Sequence, residues 1–258
     1  MAAETIADVI RALDGIIDWA WNEKSRLGYF AALYRRVTSA VKDGIANNQF
    51  QNGPLMERLD VNFAGRYLEA FEQFRSGQEP TSSWQIAFRA AHWWRPIVVQ
   101  QLLAGISAHI NLDLGIAAAV TAPGDQLPGL QADFDQINQV LAGLVSTVEK
   151  EIAAVSPLLG LLETLSLKTD TAIIDFSLDE ARKFAWDHAL KMAPMSPQEM
   201  QAAIHDLDIE AAEFGHMVVS PAWLIKIQLM PIRLFESSNV RRVLDVLAAG
   251  KATAAAAG

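Results

Sequence analysis

Three strongly polar residues sit inside a long, almost wholly apolar stretch of this chain. His109, Asn111 and Asp113 alternate with aliphatic residues within 97–120, IVVQQLLAGISAHINLDLGIAAAV. On a helix, His109 and Asp113 stand four residues apart and share a face. That spacing suits two metal ligands, or a carboxylate that orients an imidazole for proton transfer. Asn111 projects to a different side, where it can bond to a neighbouring helix. A polar group left unpaired in such a setting costs about 1–3 kcal/mol, and an isolated charge costs far more. A partner side chain, water, a metal or a ligand must therefore answer the cluster. A His–Asp pair that merely satisfies itself in the core is the commoner use of such residues, and it stands beside the functional one.

Two other stretches offer groups that could converge on it. In MERLDVNFAGRY, residues 56–67, Asp60 lies beside an apolar stripe and is the second carboxylate that a divalent metal shared with His109 and Asp113 would need. Arg66 is a candidate counter-ion for Asp113, and Tyr67 closes the stretch. In AHWWRP, residues 91–96, His92, Trp93, Trp94 and Arg95 stand directly before Pro96. Tryptophans there either wall a hydrophobic ligand or pack the core. SRLGYFAALYRR adds Arg26, Tyr29 and Tyr34 as polar-ended groups near apolar positions. The expectation is a cavity lined by His109 and Asp113 and bounded by Asp60, Tyr67 and the aromatic run at 92–94. Asp113 is expected to pair with His109, Arg66, Arg26, Arg95 or a metal.

The elements that must position these groups read as helices. Ile6, Val9, Ile10, Leu13, Ile16, Ile17 and Ala20 have helical spacing, with Thr5 as a cap. The same periodicity predicts helices over 25–46 and 55–74, with the turn NNQFQNGP between them. A short aromatic helix over 84–94 is expected to stop at Pro96. The central helix over 97–120 follows, then the loop TAPGDQLPG and a long helix over 130–155. Residues 158–167 are apolar. Further helices are expected at 170–193, 197–216, 221–236 and 238–248, the third last opening on Ser196-Pro197. No segment alternates as a strand does, and no hairpin dipeptide joins two such segments. The fold class is therefore all-α, a bundle of roughly eight to ten helices around the buried stretch 97–120. It is read as one domain over 1–248, with a low-complexity tail at 249–258.

Composition excludes several classes. The chain has 258 residues, 51% of them hydrophobic and 20% charged, which is globular rather than disordered. A net charge of −9 argues against nucleic acid and against an anionic membrane as default partners. The histidine, aspartate and glutamines of 97–120 make it a poor membrane span and a better core helix. The absence of cysteine excludes thiolate chemistry and disulfides and fits a cytoplasmic setting. Oligomeric state is left open by the sequence.

Motif searches are mostly negative. No phosphate-binding glycine loop, zinc-protease motif or nucleophile elbow occurs. His205-Asp206 resembles a metal phosphohydrolase dyad, but adjacent pairs arise easily by chance. Glu213 and His216 make one Glu-x-x-His, where a di-iron bundle wants two.

SRLGYFAALYRRVT, MERLDVNFAGRYLEA, WRP and above all AHINLDLGIA resemble the DUF5995 family of bacterial proteins, over most of the chain and most strongly from about residue 25 to 140. The resemblance implies a coherent all-helical domain and draws attention to His109, Asn111, Asp113 and Asp60. It implies no substrate. Three readings follow. One is an enzyme of hydrolase or cyclase type acting on a small, largely apolar molecule, with His109 and Asp113 as its acid–base pair, with or without a divalent metal. The second is a non-catalytic binding protein for a hydrophobic small molecule. The third is a helical interaction protein whose polar cluster is structural.

Overall fold

The computed structural model describes residues 3–160 and 177–248, and among them the chain is helical throughout, with no strand. Eleven α-helices run in order: α1 (Ile6–Glu23), α2 (Gly28–Ala46), α3 (Gly53–Arg75), α4 (Ser82–Ala90), α5 (Val98–Ser107), α6 (Gly115–Thr121), α7 (Gln131–Val155), α8 (Leu178–Met192), α9 (Pro197–Val219), α10 (Trp223–Phe235) and α11 (Val240–Leu247). A π-helical segment, Ala108–Leu114, joins α5 to α6, and a 3-10 segment, Gly124–Leu130, leads into α7. The expected eight to ten helices fall short chiefly because the central stretch is three segments rather than one. The apolar run beyond residue 160, the start of the helix expected at 170–193 and the tail 249–258 lie outside the described residues.

The central rod α5–π–α6 is mostly buried, and α2, α3, α4, α8 and α9 pack against it. It is long and apolar enough to cross a membrane, yet its surface is taken up by these neighbours. Gly115 shows how closely they approach. A Cβ there would stand 2.7 Å from the Ala185 carbonyl oxygen, so only glycine lets α6 lie against α8.

Helix starts follow the sequence signals where these are local. Thr5 and Asp8 form a capping box on α1, and Ser196 and Glu199 form another on α9. Asn52 caps α3 through Leu55 N–H, with Pro54 in the first turn. The start of α3 and two further starts are also held from a distance. Asp133 accepts the N–H groups of Gln51 and Asn52 just before α3, at 2.6 and 2.7 Å. Asp208 accepts those of Ser82 and Ser83 at the start of α4. Glu236 accepts Val98 N–H at the start of the rod, at 3.0 Å. Free N–H groups and the positive end of the helix dipole favour a carboxylate in each place. These acids are buried, but their oxygens are committed to holding helices together.

Candidate functional site

Asp113 is the electrostatic centre of the rod. Its side chain is 1% exposed. Arg66 of α3 donates from Nε to Oδ1 at 2.7 Å, and Trp84 of α4 donates from Nε1 to Oδ2 at 2.8 Å. His109 Nδ1 lies 3.4 Å from the same Oδ2. The expected pairing with Arg66 and His109 therefore holds, whereas Arg26 instead donates to the Trp93 carbonyl at 2.7 Å. Asn111 turns back to Ser107 on its own helix, 3.0 Å away, rather than to a neighbour.

The segment carrying His109 and Asp113 is π-helical, a wider turn that is frequent at functional sites. Both residues stay on one side of the rod, facing α3 and α4. The imidazole is packed by aromatic rings. Phe63 stacks flat on it at 3.6 Å between centroids, Tyr34 meets it edge-on at 4.4 Å, and Phe30 meets it edge-on at 5.4 Å. Burial pushes the His109 pKa below its ordinary value, against the upward pull of Asp113. The ring is thus neutral near pH 7. Its proton is assigned to Nδ1, facing Asp113, which leaves a lone pair on Nε2. That nitrogen is sealed from solvent and has no hydrogen-bond partner.

Beside His109 lies an interhelical cavity of about 360 Å³. Its walls come from α2, α3, α5, the π segment, α7 and α8, and they are overwhelmingly aliphatic and aromatic. Tyr34, Asp60 and His109 are polar exceptions on the α2, α3 and rod walls. Asp60 Oδ2 is, like His109 Nε2, buried without a partner, whereas the buried Tyr34 hydroxyl has the Thr38 hydroxyl beside it. Burial, helped by the nearby Glu57 charge, pushes the Asp60 carboxyl up to about 8, so it is largely protonated at neutral pH. Burial likewise drives the Tyr34 phenol well above its usual range. Around His109, therefore, these three residues offer neutral donors and acceptors, not ions.

Several expected residues stand elsewhere. Asp113 does not line the cavity; it supports His109 from behind. Tyr67 is fully buried against Trp84 and Phe30, next to the cavity rather than on it. The aromatic helix ends at Ala90, not Trp94, and the chain turns before Pro96. This carries His92, Trp93, Trp94 and Arg95 to the surface. Trp93, Trp94 and Arg95 line a separate groove with Trp223, Ile227 and Arg233, so the expected aromatic wall at 92–94 is replaced by Phe30, Tyr34 and Phe63. His109, Asp113 and Asp60 do not gather as metal ligands. Among the described residues no group of three His, Asp or Glu side chains is placed to hold an ion, and Asp113 already serves Arg66 and Trp84. His205, Asp206, Glu213 and His216 are exposed on α9.

Trp84 and Phe63 were missed as parts of the site, although both lie in the aromatic stripes of their helices. The cavity wall on α7 was missed because its residues, such as Leu141 and Val148, carry no polar signal.

A family model described as a family of unknown function, DUF5995, matches residues 6–221. No curated protein and no solved structure matches the chain.

Proposed function

The chain belongs to the DUF5995 family, and we propose that it takes up a small, largely apolar molecule in the cavity beside His109. The observation that carries this reading is the pair of partnerless polar atoms, His109 Nε2 and Asp60 Oδ2, on residues of one apolar cavity that the Tyr34 side chain also lines. A mostly apolar pocket with a few convergent polar groups is the usual make-up of a small-molecule site. Leaving such atoms unpaired costs about 1–3 kcal/mol each, and a ligand oxygen removes that cost. The lone pair of His109 would accept from a ligand hydroxyl. Tyr34 and protonated Asp60 would donate to its oxygen.

An acid–base reaction at the same place is the second reading. It is favoured by the Asp113–His109 contact, which orients a neutral imidazole with Nε2 free. Asp60 would give a proton to the bound molecule and His109 would remove one, leaving Asp60 ionised and His109 cationic until the proton returns. This suits a cyclase-type rearrangement better than hydrolysis through a covalent intermediate, since among the described residues no serine lines the cavity and the chain has no cysteine.

The test is calorimetric titration of the full chain with tetradecanol, beside Leu141→Trp, which fills the cavity, and Tyr34→Phe. Saturable binding at one site, abolished in the first variant and weakened in the second, is expected. Binding that is unchanged in Leu141→Trp would place the ligand elsewhere.

A further inference from the structure

Among the described residues Arg182 is the one guanidinium on the cavity wall, and it is 5% exposed. Its Nε donates to Asn138 Oδ1 at 2.6 Å, and its Nη2 donates to the Phe134 carbonyl. Its Cζ lies over the Phe134 ring, 4.4 Å from the centroid. All of these partners are neutral. Among the described residues no carboxylate stands within ion-pair distance of it, whereas Arg66 and Arg233 each have one. Asp135 and Asp179 act on it only from farther away. Burial lowers its pKa to about 10, so it remains a cation at neutral pH. A buried charge without a counter-ion is costly, and a guanidinium fork matches a carboxylate in geometry as well as charge.

From this juxtaposition we infer that the cavity's ligand is a long-chain carboxylate, its head group on Arg182 and its chain along α7. The inference rests on the proposed uptake of an apolar molecule and names its class. The shape agrees with it. Phe134, Ile137, Leu141, Leu144, Val148 and Ile152 all face the cavity. At about 1.5 Å per residue they run along roughly 27 Å of helix, enough for an extended acyl chain. Arg182 stands beside the first of them. Asp60, His109 and Tyr34 lie on the facing walls, where they meet an oxygen substituent on the chain rather than its carboxylate. Glu149 also borders the cavity, but beside Val148 and Ile152, near the end away from Phe134.

The experiment compares tetradecanoate with tetradecanol, equal in chain and different in head group, by calorimetric titration of the full chain at neutral pH. Wild type should bind tetradecanoate at least tenfold more tightly. Arg182→Met, which keeps an apolar stem, should lose that preference while still binding tetradecanol, and Arg182→Lys should keep part of it. Equal affinity for the two ligands in wild type overturns the carboxylate assignment and leaves the apolar cavity standing. A preference that survives in folded Arg182→Met overturns it too. Binding of neither ligand overturns the uptake reading itself, and the comparison in wild type needs no variant to fold.

Discussion

Phe63 lies flat on the His109 imidazole, with ring planes 8° from parallel and centroids 3.6 Å apart. The stacked ring shields one face of the imidazole and helps to hold it neutral, since charging a ring in an apolar setting is unfavourable. Phe63→Ala should open that face to water and raise the His109 pKa toward its ordinary value of 6.5. A histidine NMR titration of the variant against wild type reads this. An unchanged or lower pKa would mean that the stacked ring does not keep the imidazole neutral.

The Asp113 cluster should respond asymmetrically to mutation. Asp113 is nearly inaccessible, whereas the Arg66 side chain is 27% exposed. Removing one member of a buried pair typically costs about 3–5 kcal/mol, because the other is left charged and unpaired. Asp113→Ala should approach that range, as it strands Arg66 and leaves the Trp84 indole N–H without its acceptor. The double variant Asp113→Ala with Arg66→Met should lose less than the sum of the losses in Asp113→Ala and Arg66→Met. Denaturant unfolding of the four proteins measures the coupling. Strict additivity would show that the pair does not act as a unit.

Asp60 should write a pH slope into stability. Its folded pKa of about 8 lies above the ordinary 3.8. Between these values the folded state holds a proton that the unfolded state has released. Stability from this group is complete below 3.8 and is lost as pH rises toward 8. The His109 contribution runs the other way, because its folded pKa is depressed. It is complete above 6.5 and is lost as pH falls below it. Above pH 6.5, then, Asp60 is the one of the two that still titrates. Wild type should lose roughly 1.4 kcal/mol per pH unit there relative to Asp60→Asn. Unfolding at pH 6.5 and 7.5 decides it, and parallel curves would mean that Asp60 is ionised in the fold.

Two glycines on the rod separate hard contacts from soft ones. A Cβ on Gly115 meets a backbone oxygen of α8 at 2.7 Å, while one on Gly105 meets the Phe30 ring at 2.7 Å. A side chain can move and a packed helix backbone cannot. Gly115→Ala should therefore cost more than Gly105→Ala, whose overpacking lies at about 1–3 kcal/mol. Gly105→Ala should instead perturb the aromatic packing around His109, because Phe30 touches that ring, and near-UV circular dichroism would register it. Equal stability losses would contradict this ranking.

Much of this architecture was legible in the residues. Helical periodicity located the bundle, and the spacing of His109 and Asp113 together with the cation at Arg66 foretold one cluster. The π segment was not legible, because a wider turn leaves no periodic trace in seven residues. The surface position of Trp93 and Trp94 was missed because aromatic composition says nothing of where a helix ends. α4 ends at Ala90, four residues before the tryptophans do. Trp84 opens the expected aromatic helix, yet its indole N–H donates to the buried carboxylate, a role that only tertiary geometry reveals. Arg182 carried no signal at all, since an isolated arginine on a helix is ordinarily a surface residue.

The most direct test of the cavity reading is the ¹⁵N NMR spectrum of the histidine side chains at neutral pH, before and after tetradecanol is added. Before addition, His109 should show a neutral ring protonated at Nδ1. On addition, its Nε2 resonance should move in the direction of an accepted hydrogen bond, while those of exposed His205 and His216 stay in place. A His109 signal that ignores saturating ligand, or a ring already cationic at neutral pH, would contradict the account.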